Sequence, residues 1–148
     1  MDSFHSAYWT EFMVELRRHG KFPLDPKKAP RRNWIEWSCF GRAGFKLIAS
    51  VGKKDGWICV NFGIDSHDQK HHFGPLSGKR NEINKDVGLE LRWDRLDPEK
   101  SSTQAIMTKY GADVQNPKDW QNQHIWMLEN LEKLYDGFHS HVRALHVD

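Results

Sequence analysis

Alternation of apolar and polar residues between positions 34 and 64 is the feature that most constrains this fold. The segments NWIEWSCF, GFKLIASV and GWICVNFGI place apolar side chains at every second position, which predicts strands with one buried face. Glycine-bounded connections at 41–44 (GRAG) and 52–56 (GKKDG) separate them and are typical of tight turns. We therefore expect a three-stranded antiparallel meander.

Helical and further strand patterns flank this meander. A first helix, capped by Asp2 or Ser3 and ending near Gly20, has apolar residues at four-residue spacing: Phe4, Tyr8, Phe12 and Leu16. Segment 66–86 predicts a helix that is broken near Gly74, Pro75 and Gly78. LELRWDRL and TQAIMTKY predict a hairpin. Three-four spacing after the Asn116 cap and Pro117 predicts a long terminal helix reaching Leu145.

These elements predict one α+β domain over residues 1–148, in the order α-β-β-β-α-β-β-α. We expect a single antiparallel-rich sheet, made of the meander plus the hairpin, with helices mainly on one face. Only Cys39 and Cys59 are cysteines, so no disulfide scaffold is expected. The sequence shows no signal peptide and no apolar stretch near the ~20 residues that span a bilayer. It therefore predicts a cytoplasmic location without membrane contact.

The connection after the first helix is rich in proline and basic residues, and tryptophans follow it. Cations bind phosphates and indoles stack on bases, so the segment predicts a nucleic-acid contact. The predicted contact residues are Lys27, Lys28, Arg31, Arg32, Trp34 and, in the first turn, Arg42. The alternative is a solvated loop that protects an edge strand, which a formal net charge of only +2 favours. Trp34 and Trp57 lie on the strand faces opposite the clearest apolar set, so both are surface candidates.

No catalytic residues, metal or cofactor are predicted. The meander strands lack the acid-x-Lys pair of a restriction-type nuclease, and no G-x-S-x-G nucleophile motif occurs. The best candidate for metal chemistry is a helical cluster of His67, Asp68, His71 and His72. It lacks the glutamate of H-E-x-x-H and has no third ligand at characteristic spacing. A metal-dependent enzyme is thus kept only as an alternative to the binding module. A protein-interaction domain that forms homo-oligomers is a second alternative.

Several ordered motifs together resemble a known family. They are Asn33-Trp34-Ile35, the turn 41–45 (GRAGF), the pattern from Ile83 to Trp93, and the aromatic helix from Trp120 to Phe138. In this order and spacing the chain resembles the prokaryotic domain of unknown function 4268 family over nearly its whole length. The resemblance implies an association with nuclease-like modules in restriction or phage-defence systems. The expected partner is accordingly nucleic acid or a nuclease-like protein, with this chain as a binding module.

Overall fold

Five strands and four α-helices are found in the part of the chain that the structure describes. The computed structural model describes residues 3–19, 24–42, 44–64, 73–95 and 103–145, and for 73, 94–95 and 103–110 it describes the backbone alone. The strands are β1 (Trp34–Trp37), β2 (Phe45–Gly52), β3 (Trp57–Ile64), β4 (Arg92–Arg95) and β5 (Thr103–Tyr110). The helices are α1 (Ser3–His19), α2 (Phe73–Gly78), α3 (Arg80–Val87) and α4 (Trp120–Arg143).

All five strands form one antiparallel sheet in the order β1-β2-β3-β5-β4. The meander β1-β2-β3 has the predicted connections, and the hairpin β4-β5 joins it through β5, so β1 and β4 are the edge strands. In the meander, Leu47 of β2 lies opposite Phe62 of β3, and Trp34 of β1 lies opposite Ser50 of β2. The structure confirms the predicted α+β class and the order of its elements.

The inner face of the sheet is buried under α4. The Phe138 ring of α4 stacks on Phe62 with 4.0 Å between centroids and 6° between ring planes. Trp93 of β4 contacts the same Phe138 ring and donates from Nε1 to Asn84 Oδ1 of α3 at 3.1 Å. α1 joins α4 through a buried hydrogen bond from Tyr8 Oη to Gln123 Oε1 at 2.9 Å. Each large apolar side chain buried in this way contributes about 1.5–3 kcal/mol to folding.

The outer face of the sheet is open along β1 and β2. Side chains that point away from α4 are partly exposed there: Trp34, Glu36, Lys46, Ile48 and Ser50. Their neighbours in sequence, Ile35, Trp37, Leu47 and Ala49, are buried on the inner face. Alternation therefore separates a core face from an open face in β1 and β2, whereas β3 is buried on both faces from Ile58 to Ile64. Among the described residues, no helix is both long and apolar enough to cross a membrane.

The helix boundaries differ in detail from the sequence prediction. The expected break falls at Lys79, which separates α2 from α3, while Gly74 and Pro75 lie in the first turn of α2, where proline is tolerated. Before α4, the Asn116 side chain accepts a bond from Lys118 N–H, but the residues Pro117–Asp119 form a 3-10 turn and the α-helix begins at Trp120. A 3-10 first turn is common at helix termini.

α3 and α4 approach each other closely at Gly137. A Cβ placed there would lie 2.6 Å from Val87 Cα and 2.7 Å from Val87 N, both of which are backbone atoms. A flexible side chain could change its rotamer to make room for a Cβ, but these backbone atoms could move only if the whole helix moved. The absence of a side chain at position 137 therefore sets the distance between α3 and α4.

We predict that Gly137→Ala destabilises the fold by about 1–3 kcal/mol, because the added methyl group forces α3 and α4 apart. In an unconstrained helix the same substitution stabilises by about 1 kcal/mol. Urea unfolding measures the change, and Ser140→Ala, at an exposed position of the same helix, is the control. Unchanged or increased stability of Gly137→Ala would contradict the close packing.

His124 lies fully buried between α1 and α4. Its ring makes edge contacts with Tyr8 at 4.5 Å and Phe12 at 5.5 Å, and both ring nitrogens are buried without a hydrogen-bond partner. Burial lowers the pKa of His124 from its ordinary 6.5 to about 3. The folded protein therefore holds this imidazole neutral where the unfolded chain binds a proton.

We predict that His124 makes the protein acid-sensitive. Because the folded pKa is depressed, the unfolded state binds the extra proton between pH 6.5 and about 3, and stability falls as the pH falls through this window. The contribution is up to about 1.4 kcal/mol per pH unit. Urea unfolding at several pH values should show a shallower pH slope for His124→Leu than for the wild type, whatever the offset between their absolute stabilities. Equal slopes would exclude His124 as the source.

Candidate nucleic-acid interface

Residues 24–32 run beside the edge strand β1 and are attached to the core by two indoles. Trp37 Nε1 donates to Asp25 O at 3.1 Å, and Trp9 Nε1 of α1 donates to Arg32 O at 2.8 Å. Leu24 is buried in the core at the start of this segment. These anchors fix the path of an irregular, proline-containing connection along the edge of the sheet.

Two of the predicted cations bind the outer edge of β1. Lys27 Nζ donates to Glu36 O at 2.6 Å, and Arg32 Nε donates to Trp34 O at 3.3 Å. Asn33 O accepts from Val51 N of β2, so the alternate carbonyls at 34 and 36 turn away from β2. Unpaired carbonyls on an edge strand can accept hydrogen bonds from a strand of another molecule. Lys27 and Arg32 thus occupy two outward carbonyls of the edge strand, an arrangement compatible with the loop alternative.

Arg42 has a different position from the other predicted cations. Its Nη1 donates to Val142 O at 3.1 Å and to Leu145 O at 3.2 Å, at the end of α4. The last carbonyls of a helix lack partners within the helix and carry partial negative charge, so a guanidinium is favourable there. Arg42 therefore joins the first turn of the meander to the end of the terminal helix.

Lys28 and Arg31 project into solvent from the segment along β1. Lys54 is a third exposed cation, in the turn between β2 and β3, at the end of the sheet where β1 begins. Lys53 of the same turn lies instead over the Phe4 ring at 5.3 Å. Lys28, Arg31 and Lys54 can therefore contact a polyanion without breaking any interaction described above.

On the open face, the guanidinium group of Arg32 stacks on the Trp34 ring. The guanidinium carbon of Arg32 lies 3.5 Å from the centroid of the Trp34 ring, which is the distance of direct stacking. Both groups are planar, and Arg32 is held in place by its bond to Trp34 O. Nucleobases stack on aromatic rings and on arginine planes alike.

Trp57 lies on the same side of the sheet as Trp34, next to Gly52 of β2. A Cβ at Gly52 would overlap the Trp57 indole, so the ring rests directly on the backbone of β2. Trp34 and Trp57 are separated by two strand spacings and two residues, which places their Cα atoms roughly 12 Å apart. A Lys46–Glu36 ion pair at 3.0 Å lies on the same open face, on the neighbouring strands β1 and β2.

The structure thus divides the predicted set into two groups. Lys27, Arg32 and Trp34 are held at β1, with Lys28 and Arg31 exposed on the adjoining segment 24–32, whereas Arg42 lies at the end of α4. Trp57 and Lys54 belong to the same surface but were not among the predicted contacts. Their signals were present in the alternation of β3 and in the basic turn 52–56. The cluster of His67, Asp68, His71 and His72 lies outside the described residues.

Comparison with known proteins identifies a family and nothing more specific. No curated protein and no solved structure gives a significant match. Residues 4–142 match the family described as Domain of unknown function (DUF4268). The match covers α1 to the last turn of α4, and so includes every element of the fold. The chain therefore belongs to the domain of unknown function 4268 family.

Proposed function

We propose that this protein is a non-enzymatic module that binds single-stranded nucleic acid on the open face of its sheet. The observation that carries the proposal is the pair of partly exposed indoles on one side of the sheet, Trp34 stacked with Arg32 and Trp57 beside Gly52. Stacking of a base on such a ring contributes about 1–3 kcal/mol and tolerates any base. In a duplex the base faces are covered by their neighbours, so this surface favours unpaired strands.

The charges around the indoles suit a short, weakly held strand. Lys28 and Arg31 are exposed on the segment that runs beside β1, and Lys54 is exposed in the turn that precedes Trp57. Three phosphate contacts on a single strand give a slope of log K against log salt of about −2. That slope is small beside those of strongly basic proteins, in keeping with a formal net charge of +2. Stacking then supplies most of the affinity.

The association with nuclease-like modules that the sequence resemblance implies extends the proposal. In association with a nuclease-like module of a restriction or phage-defence system, a domain of this kind would hold the strand while the partner acts on it. The proposed role of the chain itself is binding.

A protein-interaction domain is the second candidate, and the same surface favours it. Trp34, Ile48 and Trp57 give the open face an apolar character around the Lys46–Glu36 pair. Apolar patches with polar groups among them are typical of docking surfaces. A homo-oligomer would show a mass above 17.4 kDa in solution, measured by light scattering. Absence of nucleic-acid binding together with such a mass would favour this candidate.

We predict that Trp34→Ala and Trp57→Ala each weaken binding of single-stranded DNA or RNA about tenfold, since each removes one stacking surface. Fluorescence anisotropy with a labelled oligonucleotide at about 50 mM salt measures the affinity. Trp126→Ala is the matched control, because Trp126 is also partly exposed but lies on α4. Thermal melts identify any variant that fails to fold. Wild-type affinity in both folded variants would refute the stacking role.

We predict opposite effects for the two kinds of predicted cation. Lys28→Ala combined with Arg31→Ala should weaken binding and make the salt slope shallower by about 1.4, with little change in melting temperature. Arg42→Ala should lower the melting temperature, because the α4 carbonyls lose a charged donor, and should leave binding to the folded protein unchanged. A loss of affinity in folded Arg42→Ala would instead place Arg42 in the interface.

A further inference from the structure

Two acidic residues of α3 and a histidine of α4 converge on the helical side of the molecule. Glu82 and Asp86 are four residues apart and share one face of α3. His141 Nε2 lies 2.8 Å from Asp86 Oδ2. One ligand atom from each of the three side chains lies within 4.8 Å of the other two. The group therefore offers two carboxylate oxygens and one imidazole nitrogen to a common point.

The close crossing of α3 and α4 sets this geometry. Gly137 lies against Val87 backbone, and His141 is one helical turn beyond Gly137, while Asp86 adjoins Val87. The His141 side chain is only 10% exposed, so packing limits its rotamers, whereas Asp86 is 47% exposed and can adjust. A nearly buried imidazole with its Nε2 facing two outward carboxylates is a preorganised set of ligands.

Pairing between His141 and Asp86 accounts for two of the three side chains and leaves Glu82 unexplained. Asp86 alone is sufficient to pair with His141, and Glu82 adds a second negative charge one turn away. Like charges at this spacing on a helix repel each other, by about 0.2–0.5 kcal/mol in isolated helices. An imidazolium supplies one positive charge against two carboxylates, whereas a divalent cation balances both.

We propose that Glu82, Asp86 and His141 bind one divalent transition-metal ion of the Zn²⁺ class and thereby join α3 to α4. An imidazole nitrogen together with carboxylate oxygens suits zinc, with ligand distances of about 2.0–2.2 Å, whereas Mg²⁺ and Ca²⁺ select oxygen ligands. Three protein ligands leave a further position for water. The site lies on the helical side of the sheet, so it is independent of the open face and of the function proposed for that face.

The test is titration of tag-free, chelator-treated protein with Zn²⁺ by calorimetry, together with thermal melts. The expected result is one ion per chain, a rise in melting temperature with Zn²⁺, and affinity at least about tenfold weaker in Asp86→Asn and in Glu82→Gln. Glu82 is exposed, so Glu82→Gln should fold normally. Visible absorption of bound Co²⁺, lost in His141→Asn, would report the nitrogen ligand.

Two controls separate this site from other sources of metal binding. Glu132→Gln removes an exposed acid elsewhere on α4 and should bind as the wild type does. A His67→Asn, His71→Asn variant removes the histidine pair of the predicted cluster and should also keep the stoichiometric ion. No stoichiometric binding at about 100 μM Zn²⁺, or wild-type affinity in both Asp86→Asn and Glu82→Gln, would overturn the proposal.

Discussion

Phe138 of α4 stacks on Phe62 at the centre of the sheet, and the arrangement of the other elements depends on that contact. It places a 24-residue helix across the inner face, where Phe45, Leu47 and Val60 are buried. α1 then packs on α4 through Tyr8 and Gln123, and α3 packs on it through the Gly137 crossing. Because these helices collect on the inner face, the outer face of β1 and β2 stays open, and the candidate interface is a consequence of one-sided packing.

The basic connection serves the fold and the proposed function together. Lys27 and Arg32 bind the outward carbonyls of β1, which removes acceptors that another strand could use. The bond that fixes Arg32 also holds its guanidinium flat over Trp34. The contact with the edge strand and the proposed stacking surface therefore meet at one residue, Arg32.

Two glycines determine the two candidate sites by permitting close approach. Gly52 lets the Trp57 indole lie against the backbone of β2, and Gly137 lets α4 approach the backbone of α3. In both cases a single methyl group would displace the groups that the site requires: an aromatic plane in the first, and His141 relative to Asp86 in the second. Each glycine sets the spacing within one of the two proposed sites.

Local periodicity was sufficient to predict the strands, the helices and the exposed face of β1 and β2, but not that β3 is buried on both faces. Alternation across residues 34–64 placed Trp34 and Trp57 opposite the core, and three-four spacing identified α4 with Phe138 on its buried side. These properties depend on neighbours a few residues apart, which a sequence shows directly.

Only the tertiary structure decided which distant residues contact one another. Arg42 donates to the carbonyls of Val142 and Leu145, 100 and 103 residues away, and His141 contacts Asp86 across 55 residues. Arg32 and Arg42 look equivalent in the sequence, but one lies on the open face and the other at a helix end. Such contacts form only when separate elements pack together, and spacing along the chain carries no record of which elements will meet.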